Sequence, residues 1–360
     1  MIEELHTSHG ELPLPAFLPD ATRAVVRTVD ARDLEDCRVD GVVVNTLHLS
    51  SHPGVSVAAS AGGVHRFMGW GRPVIADSGG FQVFSLIHDS PNAGSVTERG
   101  FTYRLSPGEP KETLTPKKCI EKQFKLGADI MVCLDYCTHP DDPPAVQRES
   151  VRLTVEWGRR CKETFTRLLA GWKGPARPLL FAVVQGGGDR DLRRQCAEGL
   201  REIGFDGYAY GGWPVSDEGA LVEMVHYVAE LTPTELPRHA LGIGKPENVV
   251  RAAAMGYDIF DCVIPTRDAR HKRLYVAADG FATLDGKFYT NLYLRDKKHI
   301  REFHPVEEGC DCLCCRRYTR AYLHHLFEIG DGLAPRLATM HNLRFYTRLL
   351  ERLRKAGRRA

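Results

Sequence analysis

The sequence predicts an α/β protein, a (β/α)8 barrel of the TIM type with a C-terminal zinc-binding subdomain. Three observations carry that expectation. Eight short apolar runs alternate with helical stretches over the first 265 residues, polar residues stand at the ends of several of those runs, and four cysteines crowd into residues 310–315. The runs cover residues 15–18, 41–46, 73–77, 129–135, 179–185, 207–212, 239–244 and 258–263, each rich in β-branched or aromatic side chains. Helices are expected between them. One should follow Thr115-Pro116, a capping residue with proline at the first helical position, and another should span 189–203. Eight strand–helix units in succession favour a closed barrel over an open, doubly wound sheet.

A barrel of this kind carries its active site at the C-terminal ends of the strands. Asp77, Asp135, Gln185 and Asp261 each fall at or near the end of an apolar run. A buried carboxylate or amide is costly there without a partner. Capping of the following helix explains any one of them, and explains all four together less well. After Val263 the pattern turns to mixed basic and aromatic segments, then the cysteines, then two helical stretches around 317–329 and 336–355. The expected organisation is a barrel core at 1–265, a zinc-binding subdomain with connecting strands at 266–345, and a helix end at 346–360 packing on the barrel.

Composition adds exclusions. Hydrophobic residues make up 43% and charged residues 26%, ordinary globular values. No apolar run approaches the ~18–20 residues that span a membrane, and the N-terminus lacks the basic-then-apolar order of a signal peptide. A cytoplasmic protein is expected. The net charge of +2 is uninformative about nucleic acid, since distribution matters more than the sum. Arg267, Arg270, Lys272 and Arg273 do cluster, and residues 348–355 are basic.

Eleven cysteines in a chain of this length, four of them clustered, point to metal rather than disulfides. Cys310, Cys312 and Cys315 offer closely spaced thiolates of the kind tetrahedral zinc requires. His341 follows Cys315 by 341 − 315 = 26 residues. Spacing leaves the fourth ligand open, because Cys314, His324 and His325 are nearer. Adjacent Cys314 and Cys315 fit one tetrahedron awkwardly, and the histidine pair looks placed mid-helix. A closed four-ligand site would hold the subdomain together rather than activate water.

At Asp77-Ser78-Gly79-Gly80-Phe81-Gln82-Val83-Phe84-Ser85-Leu86 the sequence resembles the tRNA-guanine transglycosylase family. The likeness recurs in family order at Asn45-Thr46-Leu47-His48-Leu49, Phe67-Met68-Gly69-Trp70, Val184-Gln185-Gly186-Gly187, Gly242-Ile243-Gly244, Phe260-Asp261-Cys262-Val263-Ile264-Pro265-Thr266-Arg267 and the cysteine cluster. The resemblance implies a (β/α)8 barrel with a structural zinc held by Cys310, Cys312, Cys315 and His341. It implies exchange of guanine for a 7-deazaguanine base at the first anticodon position of tRNA, in queuosine biosynthesis. Asp261 matches the nucleophile and Asp77 the general acid/base of a double displacement. Asp135, Gln185 and Gly212 match positions that read the base edge, and Phe81 and Leu241 those that cover its faces. Arg267, Arg270, Lys272 and Arg273 follow the nucleophile where phosphate contacts are expected. A homodimer is the expected assembly. Cys262 as nucleophile is the rival assignment, disfavoured because an adjacent strand residue faces the other way.

The chain departs from the family where the incoming base is expected to sit. Gly211-Gly212-Trp213-Pro214-Val215-Ser216-Asp217 stands in place of the usual Gly-Gly-Leu-Ala-Val-Gly-Glu, Tyr136 follows Asp135 where glutamate is common, and His271-Lys272 replaces a frequent Asn-Gly. The aminomethyl base preQ1 is the first expectation, queuine the second, and the cyano base preQ0 an archaeal third. A noncatalytic tRNA-binding partner subunit, or a transglycosylase acting on DNA, are the competing readings.

Overall fold

The computed structural model of the chain describes residues 2–106 and 108–357, so the last three residues of the 346–360 segment lie outside it. Eight strands form one parallel sheet: β1 (Ala16–Pro19), β2 (Val42–Asn45), β3 (Val74–Asp77), β4 (Ile130–Val132), β5 (Leu179–Val184), β6 (Gly207–Tyr210), β7 (Arg238–Ala240) and β8 (Ile259–Cys262). All eight apolar runs become strands. Their order in the sheet is β1-β8-β7-β6-β5-β4-β3-β2. The ends meet where Ala21 N–H donates to the Val43 carbonyl (2.7 Å) and Asn45 N–H to the Thr22 carbonyl (3.2 Å), beside a parallel bridge between Asp20 and Val43. The sheet thereby wraps into a nearly closed barrel.

The two-residue period of the strands decides which side chains enter the lumen. Ala16 and Leu18, Val43, Ile75, Ile130 and Val132, Phe181 and Val183, Ala209 and Ile259 form one cluster inside the barrel. Phe17, Val42, Val44, Val74, Ala76, Met131, Leu180, Ala182, Val184 and Phe260 point outward into the layer shared with the helices. Adding two to an inward residue near a strand end gives Asn45, Asp77, Gln185 and Asp261. Strand parity therefore aims these polar groups into the C-terminal mouth of the lumen.

An N-terminal hairpin, Glu4–Thr7 paired with Gly10–Pro13, places Leu5 and Leu12 in the same interior cluster and plugs the opposite end. The sequence reading did not anticipate this hairpin, nor the three-stranded sheet of Gly94–Thr97, Gly100–Tyr103 and Glu112–Leu114 between β3 and β4. The expected helices form at Pro116–Leu126, where the Thr115 side chain caps the Lys118 N–H, and at Arg190–Ile203, capped by Asp189. The single helix Leu333–Lys355 crosses the expected 345/346 boundary. Its later turns pack on the barrel, with the Tyr346 ring tilted against Phe17 at 4.4 Å and Arg354 bonded to the Pro13 and Pro15 carbonyls and Asp40. Among the described residues no helix is long and apolar enough to cross a membrane.

Candidate active site and metal centre

A cavity of about 310 Å³ opens at the C-terminal mouth of the barrel, lined by Asp77, Asp135, Gln185 and Asp261 together with Phe81, Gly212, Trp213 and Leu241. Its volume is at the small end of ligand pockets, room for one flat bicyclic ring system. Asp77 ends β3 in register with Asn45 on β2, whose side-chain amide donates to Asp77 Oδ2 (2.7 Å) and to Gln82 Oε1 (2.9 Å). Burial, then the charges of Asp135 and Asp261, raise the Asp77 carboxyl to about 7, against opposing hydrogen bonds from Ser78 and Asn45. Burial raises Asp135 to about 6, opposed by Gln185, whose Nε2–H donates to Asp135 Oδ2 at 2.6 Å. Asp261 ends in the lumen with Oδ1 accepting from His239 Nε2 (2.8 Å) and Gly242 N–H (3.2 Å).

The loops around these groups are held by particular contacts. Gly79 starts the helix Gly80–Asp89 at φ 83°, and a Cβ there would stand 2.5 Å from that of Leu47. Only glycine lets the chain turn this closely from β3 into the helix. Arg193, 1% exposed, donates to the carbonyls of Val184 (2.6 Å), Gly187 (2.9 Å) and Gly211 (2.9 Å) and lies over the Tyr210 ring. It fastens the end of β5 to the end of β6, and so sets Gln185 against Gly212. At the mouth, Phe81 and Trp213 are 41% and 40% exposed, leaving aromatic faces free for a ligand. Trp213 donates its indole N–H to the Thr138 carbonyl (3.2 Å) and meets Phe81 edge-on at 5.9 Å.

Cys262 does not line the cavity. Its side chain abuts Gly244, and burial pushes its thiol up to about 12, so it stays a neutral thiol at physiological pH.

The sulfurs of Cys310, Cys312 and Cys315 lie 3.9, 3.7 and 3.2 Å from His341 Nδ1, and the four atoms are mutually within 4.8 Å. A tetrahedral ion with bonds of roughly 2.0–2.3 Å sets such edges at roughly 3.6 Å. The donor set fits a metal ion. His341 Nε2 bonds the Tyr275 carbonyl at 2.7 Å, which orients Nδ1 toward the sulfurs. The other candidates stay outside this group: Cys314 does not belong to it, His324 on Arg320–Glu328 is bonded to the Leu294 carbonyl, and His325 is exposed. A second cluster, His9, His65 and Asp129, lies at the far end of the barrel. Its imidazoles stack 3.4 Å apart and bond separate oxygens of Asp129, a clamp between hairpin and barrel whose parallel rings cannot both aim at one ion.

The family model described as queuine tRNA-ribosyltransferase matches residues 2–358. The chain belongs to that family. Proteins named queuine tRNA-ribosyltransferase are similar to it along their lengths: 40% identity with that of Caldanaerobacter subterraneus subsp. tengcongensis, covering 98% of this chain and 89% of the relative. Those of Psychrobacter sp. (strain PRwf-1) and Solidesulfovibrio magneticus are 38% and 39% identical, covering 97% and 98% of this chain and 87% and 90% of the relatives.

Within this queuine tRNA-ribosyltransferase family member the four basic residues separate into two kinds. Lys272 pairs with Glu328 (3.2 Å) and Arg273 with Asp268, so their charges are engaged within the chain. Arg267 is exposed, and Arg270 has a buried Nη1 with no hydrogen-bond partner among the described residues. Burial, then the charge of Arg27, lowers the Arg270 pKa, and Arg267 adds to it. Sequence reasoning missed Asn45, Arg193 and His239. Strand parity would have found Asn45, two residues beyond Val43. His239 lay hidden because its strand has no polar residue at its end, and Arg193 because it sits on a helix.

Proposed function

We propose that the protein exchanges guanine at the first anticodon position of tRNA for a 7-deazaguanine base by double displacement. The observation that carries this reading is the pairing, in one base-sized cavity, of a carboxyl raised to about 7 with a carboxylate held from one side only. Asp261 attacks the ribose C1′ and the C1′–N9 bond breaks. Guanine leaves with a proton from Asp77. The incoming base then attacks C1′, gives its N9 proton to Asp77 and frees the Asp261 carboxylate. A carboxyl near 7 serves both proton transfers at neutral pH. Asp135, Gln185 and the Gly212 backbone read the base edge, while Phe81 and Leu241 cover its faces.

Arg267 and Arg270 take the RNA phosphates, since a guanidinium cluster with an unpartnered buried nitrogen calls for an anion. Zinc is the ion suited to three thiolates and an imidazole, and Cys310, Cys312, Cys315 and His341, none of which lines the cavity, hold it structurally. We take preQ1 as the incoming base, ahead of queuine, with a cytoplasmic homodimer as the working form. Because residues 213–217 depart from the family pattern, the base is tested directly.

The test follows release of labelled guanine from unmodified tRNA on addition of preQ1, preQ0 or queuine separately, for wild type and Asp261→Ala. Release driven by one base and abolished in Asp261→Ala upholds the exchange. No release with any base, or release from a DNA substrate alone, overturns it.

A further inference from the structure

We propose that His239 is a positioning residue for the exchange: its Nε2–H, with the Gly242 N–H, occupies Asp261 Oδ1 and leaves Oδ2 as the attacking oxygen. The inference rests on the reading of Asp261 as nucleophile. His239 stands on β7 in register with Ile259 of β8, two residues before Asp261, so its imidazole reaches along the lumen to the carboxylate. The ring is wholly buried, at 0% exposure, and its Nε2 lies 2.8 Å from Oδ1. Its Nδ1 is buried without a hydrogen-bond partner among the described residues. A proton on Nδ1 would have no acceptor and would turn the Nε2 lone pair on the carboxylate, so the network assigns the proton to Nε2. Both donors that reach Asp261 converge on Oδ1, and among the described residues none reaches Oδ2.

That asymmetry has a chemical use. In the first displacement an Oδ2 electron pair forms the Oδ2–C1′ bond as the C1′–N9 pair departs with guanine. Oδ1 then becomes the ester carbonyl, still held by His239. In the second displacement the Oδ2–C1′ pair returns to the carboxylate as the incoming base binds C1′. His239 keeps its proton throughout. Its donor steadies the carboxylate as leaving group and fixes the plane in which Oδ2 faces C1′.

The experiment uses labelled guanine as the exchanging base, so it does not depend on which deazaguanine is inserted. His239→Phe removes the donor, His239→Gln places an amide Nε2 close to that of the imidazole, and His239→Asn is too short to reach. Phe and Asn variants are expected to lose ~10–100-fold in kcat, the scale of a misplaced reacting group, with KM for tRNA and guanine within ~3-fold. The trapped protein–RNA adduct should be chased by guanine correspondingly slowly, and Gln should recover most of both rates. Wild-type chase rates in the Phe or Asn variant, or Gln no better than Asn, would overturn the role of His239. Should Asp261→Asn still form the adduct, the nucleophile assignment itself falls, a result separate from these.

Discussion

Asn45 and Asp77 face each other in register on adjacent strands, and the Asn45 amide donates to Asp77 Oδ2 at 2.7 Å. The bond opposes the rise of the Asp77 carboxyl, which burial and two neighbouring carboxylates carry from 3.8 to about 7. A raised folded-state pKa means the folded protein binds a proton more tightly there than the unfolded chain does. This group's contribution to stability is therefore fully present below about 3.8, and it is lost as pH rises toward 7. Asp77→Asn should stabilise the protein by a few kcal/mol at pH 8, since each tenfold gain in proton affinity on folding is worth ~1.4 kcal/mol, and by little near pH 4. Thermal unfolding of both proteins across that range checks the sign. The same substitution should cut exchange by at least ~100-fold, the scale of general acid–base catalysis.

The indole of Trp213 occupies the wall where the family pattern has leucine, tied by its N–H to the Thr138 carbonyl at 3.2 Å. That tether keeps the ring beside Phe81 and narrows the cavity mouth. Trp213→Leu should raise kcat/KM for queuine, which carries a bulky substituent, by ~10-fold while changing that for preQ1 much less, the usual scale of steric discrimination in an apolar pocket. Competition between the two bases in wild type and variant measures this. Equal gains for both would show that Trp213 does not set the wall.

The barrel was legible in the sequence because its strands are buried on both faces and read as continuous apolar runs. The carboxylates were legible because Asp77 and Asp261 end such runs abruptly. What stayed hidden has a common cause. The N-terminal hairpin is four residues a side with alternating polar positions, and His239 stands at the start of its apolar run instead of ending it, so nothing marked it as a site residue. Arg193 reads as one charge among several on an amphipathic helix, although its guanidinium is buried against three carbonyls. Partners distant in sequence, and not residue type, give these groups their roles.

Arg267 and Arg270 should behave differently from Lys272 and Arg273 in salt. Replacing Arg267 or Arg270 by Ala should raise KM for tRNA and lower the slope of log affinity against log salt by ~1 each, the signature of a lost phosphate contact. Arg273→Ala instead leaves the Asp268 carboxylate, bonded to Tyr275, without its cation. With Asp268 buried and Arg273 partly exposed, it should destabilise the fold by roughly 1–3 kcal/mol, the cost of leaving a buried acceptor without its partner, and leave the salt slope of the folded fraction unchanged. Fluorescence binding titrations at several salt concentrations separate the two behaviours.

Metal removal probes the join between subdomain and barrel, because His341 belongs to the same helix that later packs on β1. Apart from the ion, the cluster brings three sulfurs against one imidazole in a buried site, an arrangement that needs a cation. We expect one zinc per chain, lost in Cys312→Ser and retained in Cys314→Ser, whose sulfur is not one of the four grouped donor atoms. Cys312→Ser should lower Tm by several °C, a large loss because 1 kcal/mol moves Tm by only ~2–4 °C in chains of about 150–250 residues and by less in longer ones. Elemental analysis with thermal unfolding decides the matter: a Cys312→Ser protein that keeps full metal, or a Cys314→Ser protein that loses it, would move the site off these four residues.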